Sequence, residues 1–172
     1  RGEALFMRAL NYFDLARTIA YEPGREPESG PGAGFTSGAI IRTEPVDNVA
    51  DADFRSRASN VELYEQIEAD LRQANESLES AEASGTDLGA TNPPRRISSA
   101  AAHGLLARVL LFHSDPVEPV QAEFWSAAAE QATAAINAAN GRGISVVPGA
   151  NLGSAWQSSQ YPGSIFELGM EP

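Results

Sequence analysis

The stretch "SNVELYEQIEADLRQANESL", residues 59–78, carries the clearest structural signal in the chain. It opens with a capping box, in which Ser59 and Glu62 satisfy backbone N–H groups at a helix start. Apolar side chains then recur every three or four residues, as on one face of a helix: Val61, Tyr64, Ile67, Leu71, Ala74 and Leu78. The remaining charged residues are assigned to the solvent face: Glu65, Glu68, Asp70, Arg72 and Glu76. We predict an amphipathic helix over residues 59–82, stopped by Gly85.

The same periodicity predicts three further helices, over residues 2–20, 98–113 and 122–140. The stripe of the first contains the following residues: Leu5, Ala9, Tyr12, Phe13, Ala16 and either Ile19 or Ala20. The third is mostly apolar and is expected to be the most buried. The fourth is rich in alanine, with Trp125 expected in the core and Gly141 as its C-cap.

The segments between these helices read as irregular structure. Residues 21–58 are rich in Gly, Pro, Glu and Ser, which predicts a long loop. Within it, "AIIRTEPV" at 39–46 is expected to run extended across the core. Residues 83–94 form a linker, and 116–121 form a short bridge. The tail, 141–172, is expected to be extended, including a strand-like segment at 164–169.

An internal similarity relates the first and third predicted helices. At a separation of 98 residues, Ala4, Ala9, Tyr12 and Phe13 match the following residues: Ala102, Ala107, Leu110 and Leu111. Each of the two helices is followed by a partner helix, and each such hairpin would bury one face against the next. The predicted fold is therefore all-α, a single domain over 1–172 built of tetratricopeptide-like helical hairpins with long irregular loops.

Composition narrows the classes of function. The 172 residues carry a net charge of −11, and every one of the 12 basic residues is arginine. Such an acidic chain lacks the basic surface that nucleic acids and anionic membranes require. The absence of cysteine excludes disulfides, thiolate metal sites and cysteine nucleophiles.

Six segments, in order, resemble the SusD/RagB family of outer-membrane nutrient-binding lipoproteins. "GEALFMRALNYFDLAR" is similar to the family's opening helix, and "GAIIRTEP" to the extended segment after it. "RASNVELYEQIEADLRQANESL" and "RRISSAAAHGLLARVLLF" resemble its second and third helices. "FWSAAAEQATAAIN" and "SIFELGM" resemble the fourth helix and the segment that follows it. The similarity covers nearly the whole chain, and the differences fall in loops.

The resemblance implies a function that the residues alone do not. It implies a non-catalytic component of glycan or nutrient uptake, held at the outer face of the outer membrane by an N-terminal lipid. It also implies a TonB-dependent transporter as partner, and that this chain is the tetratricopeptide-like piece of a longer protein without its anchor. The alternative is a generic tetratricopeptide-like adaptor that binds a protein or peptide in a helical groove.

Catalytic and metal sites find little support in the residues. His103 and His113 lie ten residues apart on one helix, about 80° apart around its axis, so we expect surface or half-buried histidines and no metal or cofactor. Glu65 and Glu68 are paired carboxylates, as in the active site of a glycosidase, but both are assigned to the solvent face. Two helix-spaced ion pairs are also expected, Asp14–Arg17 and Glu68–Arg72.

The aromatic residues of the tail are the candidate ligand contacts. Trp156 and Tyr161 lie in a polar segment, and sugar-binding proteins stack pyranose rings on such side chains. The alternative is that the two rings pack over the helical core as a lid. The family motifs mark the scaffold and assign no ligand contact.

Overall fold

The computed structural model describes residues 1–49, 52–86, 96–114, 122–157 and 161–166. Five α-helices occur in this part of the chain: α1 (Gly2–Ile19), α2 (Asn60–Ala83), α3 (Ser99–His113), α4 (Ala122–Gly141) and α5 (Leu152–Trp156). The all-α prediction is confirmed, and extended backbone pairs within the described residues only at one isolated bridge, Ser37 with Ser59.

The prediction of a tail without helices is wrong. A 3-10 turn at Gly149–Asn151 leads into α5, so the tail turns back on itself. The predicted bridge at 116–121 lies outside the described residues, as do most of the predicted linker at 83–94 and residues 167–169 of the predicted strand-like segment.

The four long helices pack in chain order, each antiparallel to the next. Gly2 lies beside Leu78 and Arg8 bonds to Asp70, so α1 is antiparallel to α2. His103 bonds to Gln131 and Ser114 bonds to Trp125, so α3 is antiparallel to α4. α2 lies against α3 in the middle of the row. This sequence of pairs agrees with two hairpins in contact, and a tetratricopeptide-like superhelix remains a prediction.

A column of aromatic rings, which we call the aromatic column, crosses all four helices. Phe13 of α1 meets Tyr64 of α2 edge-on, with ring centroids 6.2 Å apart. Tyr64 contacts His113 of α3 at 5.4 Å, and His113 contacts Phe124 of α4 at 4.9 Å. Burying each large ring contributes about 1.5–3 kcal/mol, so the column joins helices far apart in sequence.

The buried face of α1 includes one residue that the predicted stripe missed. Phe6, Ala9, Phe13 and Ala16 are buried; of the two alternatives at the end of the stripe, Ile19 is 41% exposed and Ala20 is half-buried. At the start of the helix the two backbones come close, because a Cβ on Gly2 would stand 2.8 Å from Leu78 Cγ.

The capping box of α2 is confirmed, but its polar face was partly misassigned. The Ser59 hydroxyl accepts from the Glu62 N–H at 3.1 Å, and the Ser59 N–H donates to the Glu62 carboxylate at 2.8 Å. Asp70 is buried, not solvent-facing, because Arg8 arrives from α1 and forms two hydrogen bonds with it, at 2.6 and 2.7 Å.

α3 is the most buried helix, as predicted, with nine of its 15 residues buried against nine of 24 in α2.

Two predictions for α4 are wrong. Trp125 is 54% exposed and not in the core, because its ring lies at the edge of the α3 contact, where Nε1 donates to Ser114 Oγ at 3.1 Å.

The C-terminal cap of α4 also differs from the prediction. Gly141 is the last helical residue, and the left-handed conformation falls instead at Gly143, with φ of 75°. The Gly143 and Ile144 N–H groups donate to Asn140 O and Ala139 O, both at 3.0 Å. This is a Schellman motif, in which a glycine just beyond the helix closes the last turn.

The register of the proposed 98-residue repeat is wrong. Ala4 is exposed whereas Ala102 is fully buried, and Phe13 is buried whereas Leu111 is 52% exposed. Shifting the comparison by one residue pairs Phe13 with Leu110, both 1% exposed. Within the described residues, α3 is covered by helices on two sides, whereas α1 packs mainly against α2, so different positions of the two helices are buried.

Two side chains of α1, Tyr12 and Arg8, hold the long loop against the helices, and Arg57 ties the end of the loop to its earlier part. The Tyr12 hydroxyl accepts from the Arg42 N–H at 2.7 Å and donates to Arg42 O at 3.1 Å. Arg8 donates to Thr43 O, and Arg57 donates to Gly38 O at 2.6 Å. Within 39–46, Ala39 is buried and Ile41 packs on the core, as the predicted extended cover requires.

Candidate functional site

The structure brings the two predicted ligand-contact residues together. α5 ends at Trp156, and the Tyr161 ring lies edge-on to the indole, with centroids 5.8 Å apart and planes 75° apart. The Trp156 side chain is 78% exposed and Tyr161 is half-buried. An exposed indole steadied by a second ring offers a flat apolar surface with a polar edge.

A cleft of about 380 Å³ lies in the same segment as this aromatic pair. Polar groups in its lining include Asn151 and Ser154, and Val146, Pro148 and Pro162 contribute apolar surface. The Tyr161 ring packs over Gly163, where an added Cβ would stand 3.0 Å from Tyr161 Cε1. Glycine at this position therefore allows the ring to lie close to the backbone.

The alternative prediction, a lid over the helical core, fits Ile165 and Phe166 better than Trp156. Phe166 packs edge-on against Phe6 of α1 with centroids 5.8 Å apart. Ile165 Cδ1 would stand 3.2 Å from a Cβ on Gly104 of α3. These two side chains thus anchor the tail to the core. Trp156 remains exposed to solvent.

The two histidines bind different carboxylates of α2. His103 is buried, contrary to the surface or half-buried position expected, with Nε2 2.8 Å from Glu79 Oε1 and Nδ1 2.7 Å from Gln131 Oε1. His113 is half-buried, with Nδ1 2.5 Å from Glu68 Oε1. Glu68 therefore faces α3, and its predicted position on the solvent face was wrong.

One of the two predicted helix-spaced ion pairs is present. Arg72 Nη2 lies 3.2 Å from Glu68 Oε2, as expected. Arg17 instead lies over aromatic rings, 5.0 Å from the Phe112 centroid, and no ion pair to Asp14 is found in the described residues. A guanidinium over a ring face keeps its charge partly hydrated while covering apolar surface.

A carboxylate junction that the sequence reasoning missed joins three helices. Glu82, near the end of α2, accepts from the Ser99 N–H at 2.9 Å and the Ser99 hydroxyl at 2.6 Å. It also accepts from Arg142 Nη1, just after α4, at 3.1 Å. Because Ser98 makes no capping bond of its own, Glu82 caps α3 from a neighbouring helix.

Several pKa values follow from these contacts. Hydrogen bonding to Arg96 lowers the pKa of Glu3, and hydrogen bonds from the Ser59 backbone and hydroxyl lower the pKa of Glu62. Burial raises the pKa of Tyr64 to about 12. These shifts belong to packing and capping.

Two further findings bear on the class of protein. The described residues contain no cluster of three or more His, Asp or Glu side chains placed to hold a metal ion. Among the described helices, none combines the length and hydropathy needed to cross a bilayer.

The fold and site define a class: a domain of antiparallel α-helices that displays an aromatic pair on a folded-back tail. Residues 1–111 match the model of the SusD-like family, described as starch-binding and associating with the outer membrane. The chain belongs to the SusD-like family, which favours the nutrient-uptake prediction over the generic adaptor. No curated protein matches the chain. No solved structure matches it either. Trp156 and Tyr161 lie beyond the matched residues, so the family match does not assign them.

Proposed function

We propose that this chain is the helical part of a non-catalytic glycan-binding component of an outer-membrane uptake system. The observation that carries the proposal is the family match over residues 1–111. In the complete protein, a lipid anchor would hold the domain at the outward face of the membrane. A TonB-dependent transporter would take the bound glycan across that membrane.

Within this function, Trp156 and Tyr161 are the proposed glycan contacts. The exposed indole would cover the apolar face of a pyranose ring, and the nearby cleft supplies the Ser154 hydroxyl and the Asn151 amide as hydrogen-bonding groups. Stacking of this kind contributes roughly 0.5–1.5 kcal/mol per ring. Removing one ring would weaken binding about 2- to 10-fold.

The test is titration with maltoheptaose, a soluble starch fragment, followed by calorimetry. Trp156→Ala and Tyr161→Ala should each weaken binding by about 2- to 10-fold. Trp125→Ala is the matched control, because it removes an indole that is also more than half exposed but lies on α4. Equal affinity in the wild type, Trp156→Ala and Tyr161→Ala would remove the aromatic pair from the proposal.

Fluorescence gives a second, local measurement. The chain has two tryptophans, so Trp125→Phe leaves Trp156 as the only indole. Its emission should change on adding maltoheptaose and remain constant on adding an equal volume of buffer. Chromatography of the recovered glycan tests the non-catalytic part of the proposal, since shortened products would contradict it.

The transporter partnership has a separate test in the complete, lipid-anchored protein. An affinity tag on that protein should recover a TonB-dependent transporter from detergent-solubilised outer membranes. Recovery of the tagged protein alone, under conditions that keep the transporter folded, would contradict the partnership while leaving glycan binding untouched.

A further inference from the structure

The segment that leads into α2 displays a phenylalanine on an anchored backbone. Phe54 has a relative exposure of 108%, more than any other large apolar side chain described. The residue before it is held firmly: Arg42 Nη2 donates to Asp53 O at 2.5 Å and lies 3.0 Å from Asp53 Oδ1. Arg55 Nε donates to the same carboxylate at 3.0 Å.

These contacts hold the backbone next to Phe54 in place. The Arg55 hydrogen bond, with the nearby Arg42 charge, lowers the pKa of Asp53, so the carboxylate stays ionised at neutral pH. Phe54 itself gains no burial from the fold, so both faces of its ring are open to a ligand.

A polar cleft of about 570 Å³ begins two residues after Phe54, between residues 56–58 and the outer face of α2. Ser56 is part of its lining, and the Phe54 Cα lies within about 7 Å of the Ser56 Cα, because two residues span no more. Arg57, Glu65 and Gln66 supply the charged and amide groups of the opposite walls.

The cleft offers both donors and acceptors. Arg57 is oriented by its bonds to Gly38 O and to Ser37 O at 3.2 Å, and its Nη1 makes no hydrogen bond to the described residues. The Glu65 carboxylate likewise has no partner there. Gln66 donates from Nε2 to Asp70 at 2.9 Å, which leaves its oxygen as an acceptor.

We infer that Phe54 and this cleft form a second glycan subsite, in which a pyranose ring covers Phe54 and its hydroxyls bond to Arg57, Glu65 and Gln66. The inference rests on the proposed glycan-binding function but not on the Trp156–Tyr161 pair. A neutral polyhydroxyl ligand fits, because each hydroxyl both donates and accepts. Anions are disfavoured, since Glu62 and Glu65 both line the cleft.

The experiment is maltoheptaose titration followed by nuclear magnetic resonance of the wild type and variants. Addition of the glycan should shift the Gln66 side-chain amide and the Arg57 Nε–H signals. In Phe54→Ala, these shifts should either no longer reach a plateau as glycan is added, or reach it with a local affinity about 2- to 10-fold weaker. Phe54→Trp should keep them, because a ring face remains.

Two controls separate the ring from general effects of the loop. Val49→Ala truncates another apolar side chain of the same segment, 93% exposed, and should leave the shifts unchanged. Glu65→Ala removes an exposed, unpaired acceptor and should weaken the local affinity. Unchanged shifts in Phe54→Ala, or an equal loss in Val49→Ala, would overturn the inference.

The same titration distinguishes this inference from the proposed function. In Trp156→Ala the Gln66 signal should still shift, since the two subsites are separate. If calorimetry shows maltoheptaose binding while the Gln66 and Arg57 signals never move, the subsite is wrong and the proposed function stands. If neither measurement detects maltoheptaose, both ideas fail for this class of glycan.

Discussion

Replacing Tyr64 with phenylalanine is expected to raise the free energy of unfolding by about 1–2 kcal/mol at neutral pH. The ring is 1% exposed and packs between Phe13 and His113, so phenylalanine would keep these contacts. The hydroxyl, however, is buried with no hydrogen-bond partner among the described residues. Burying an unpaired hydroxyl costs about 1–3 kcal/mol in proteins, and the substitution removes that cost.

The pH dependence gives the same prediction a second measurement. The pKa of Tyr64 is about 12 in the folded chain, against 10.0 when unperturbed. The unfolded chain therefore loses this proton first, and the wild type should lose stability as pH rises from about 10 through 12. The full loss is up to about 2–3 kcal/mol, at 1.36 kcal/mol for each pKa unit. Tyr64→Phe lacks this part of the loss, and the chain has no lysine to obscure it.

The assay is urea unfolding followed by circular dichroism, at pH 7.5 and at intervals up to pH 11.5. Tyr12→Phe is the matched control, because the Tyr12 hydroxyl forms two hydrogen bonds with Arg42. The same chemical change should there lower the unfolding free energy by about 1–2 kcal/mol. A Tyr64→Phe variant less stable than the wild type would refute the reasoning, since it would show that the hydroxyl has a favourable partner.

Three further substitutions test contacts that fasten the helices, each by urea unfolding at neutral pH. Asp70→Asn should lower the free energy of unfolding by about 2–3 kcal/mol. This is less than the usual loss for a buried ion pair, because the Arg8 side chain is 29% exposed. An unchanged free energy of unfolding would mean that water replaces the pair. Glu82→Ala should cost about 1–2 kcal/mol, as for loss of a helix cap, and hydrogen exchange should rise first in the amides around Ser99. Gly143→Ala should cost about 1–2 kcal/mol because alanine is strained at positive φ, whereas Gly141→Ala, inside α4, should cause no loss.

Features with a local cause could be predicted from the sequence. The capping box needs only Ser59 and Glu62, three residues apart, and both halves form as expected. The four long helices follow from the spacing of apolar residues, and their observed ends lie within one residue of the predicted ones. The cap of α4 was misplaced because two glycines follow closely, and only the backbone conformation shows that Gly143 takes the left-handed position.

Features that depend on a distant partner could not be predicted in this way. Helical periodicity assigned Glu68 and Asp70 to the solvent face, yet His113 and Arg8 approach them from neighbouring helices. The candidate site shows the same division. Its two aromatic residues were identified because they stand in a polar segment, but the 5.8 Å contact between Trp156 and Tyr161 arises only when α5 forms and the tail folds back.

The sequence by itself determined the helices and the all-α class, because these depend on the order of apolar residues along one chain, and the resemblance of six segments indicated the family. Only the tertiary structure decided which polar groups of α2 are buried, that Trp125 is exposed and that a polar cleft forms between residues 56–58 and α2. The reason is physical. A side chain's burial depends on what packs against it, and Asp70 meets Arg8 across 62 residues of sequence, far beyond the three- or four-residue reach of helical periodicity.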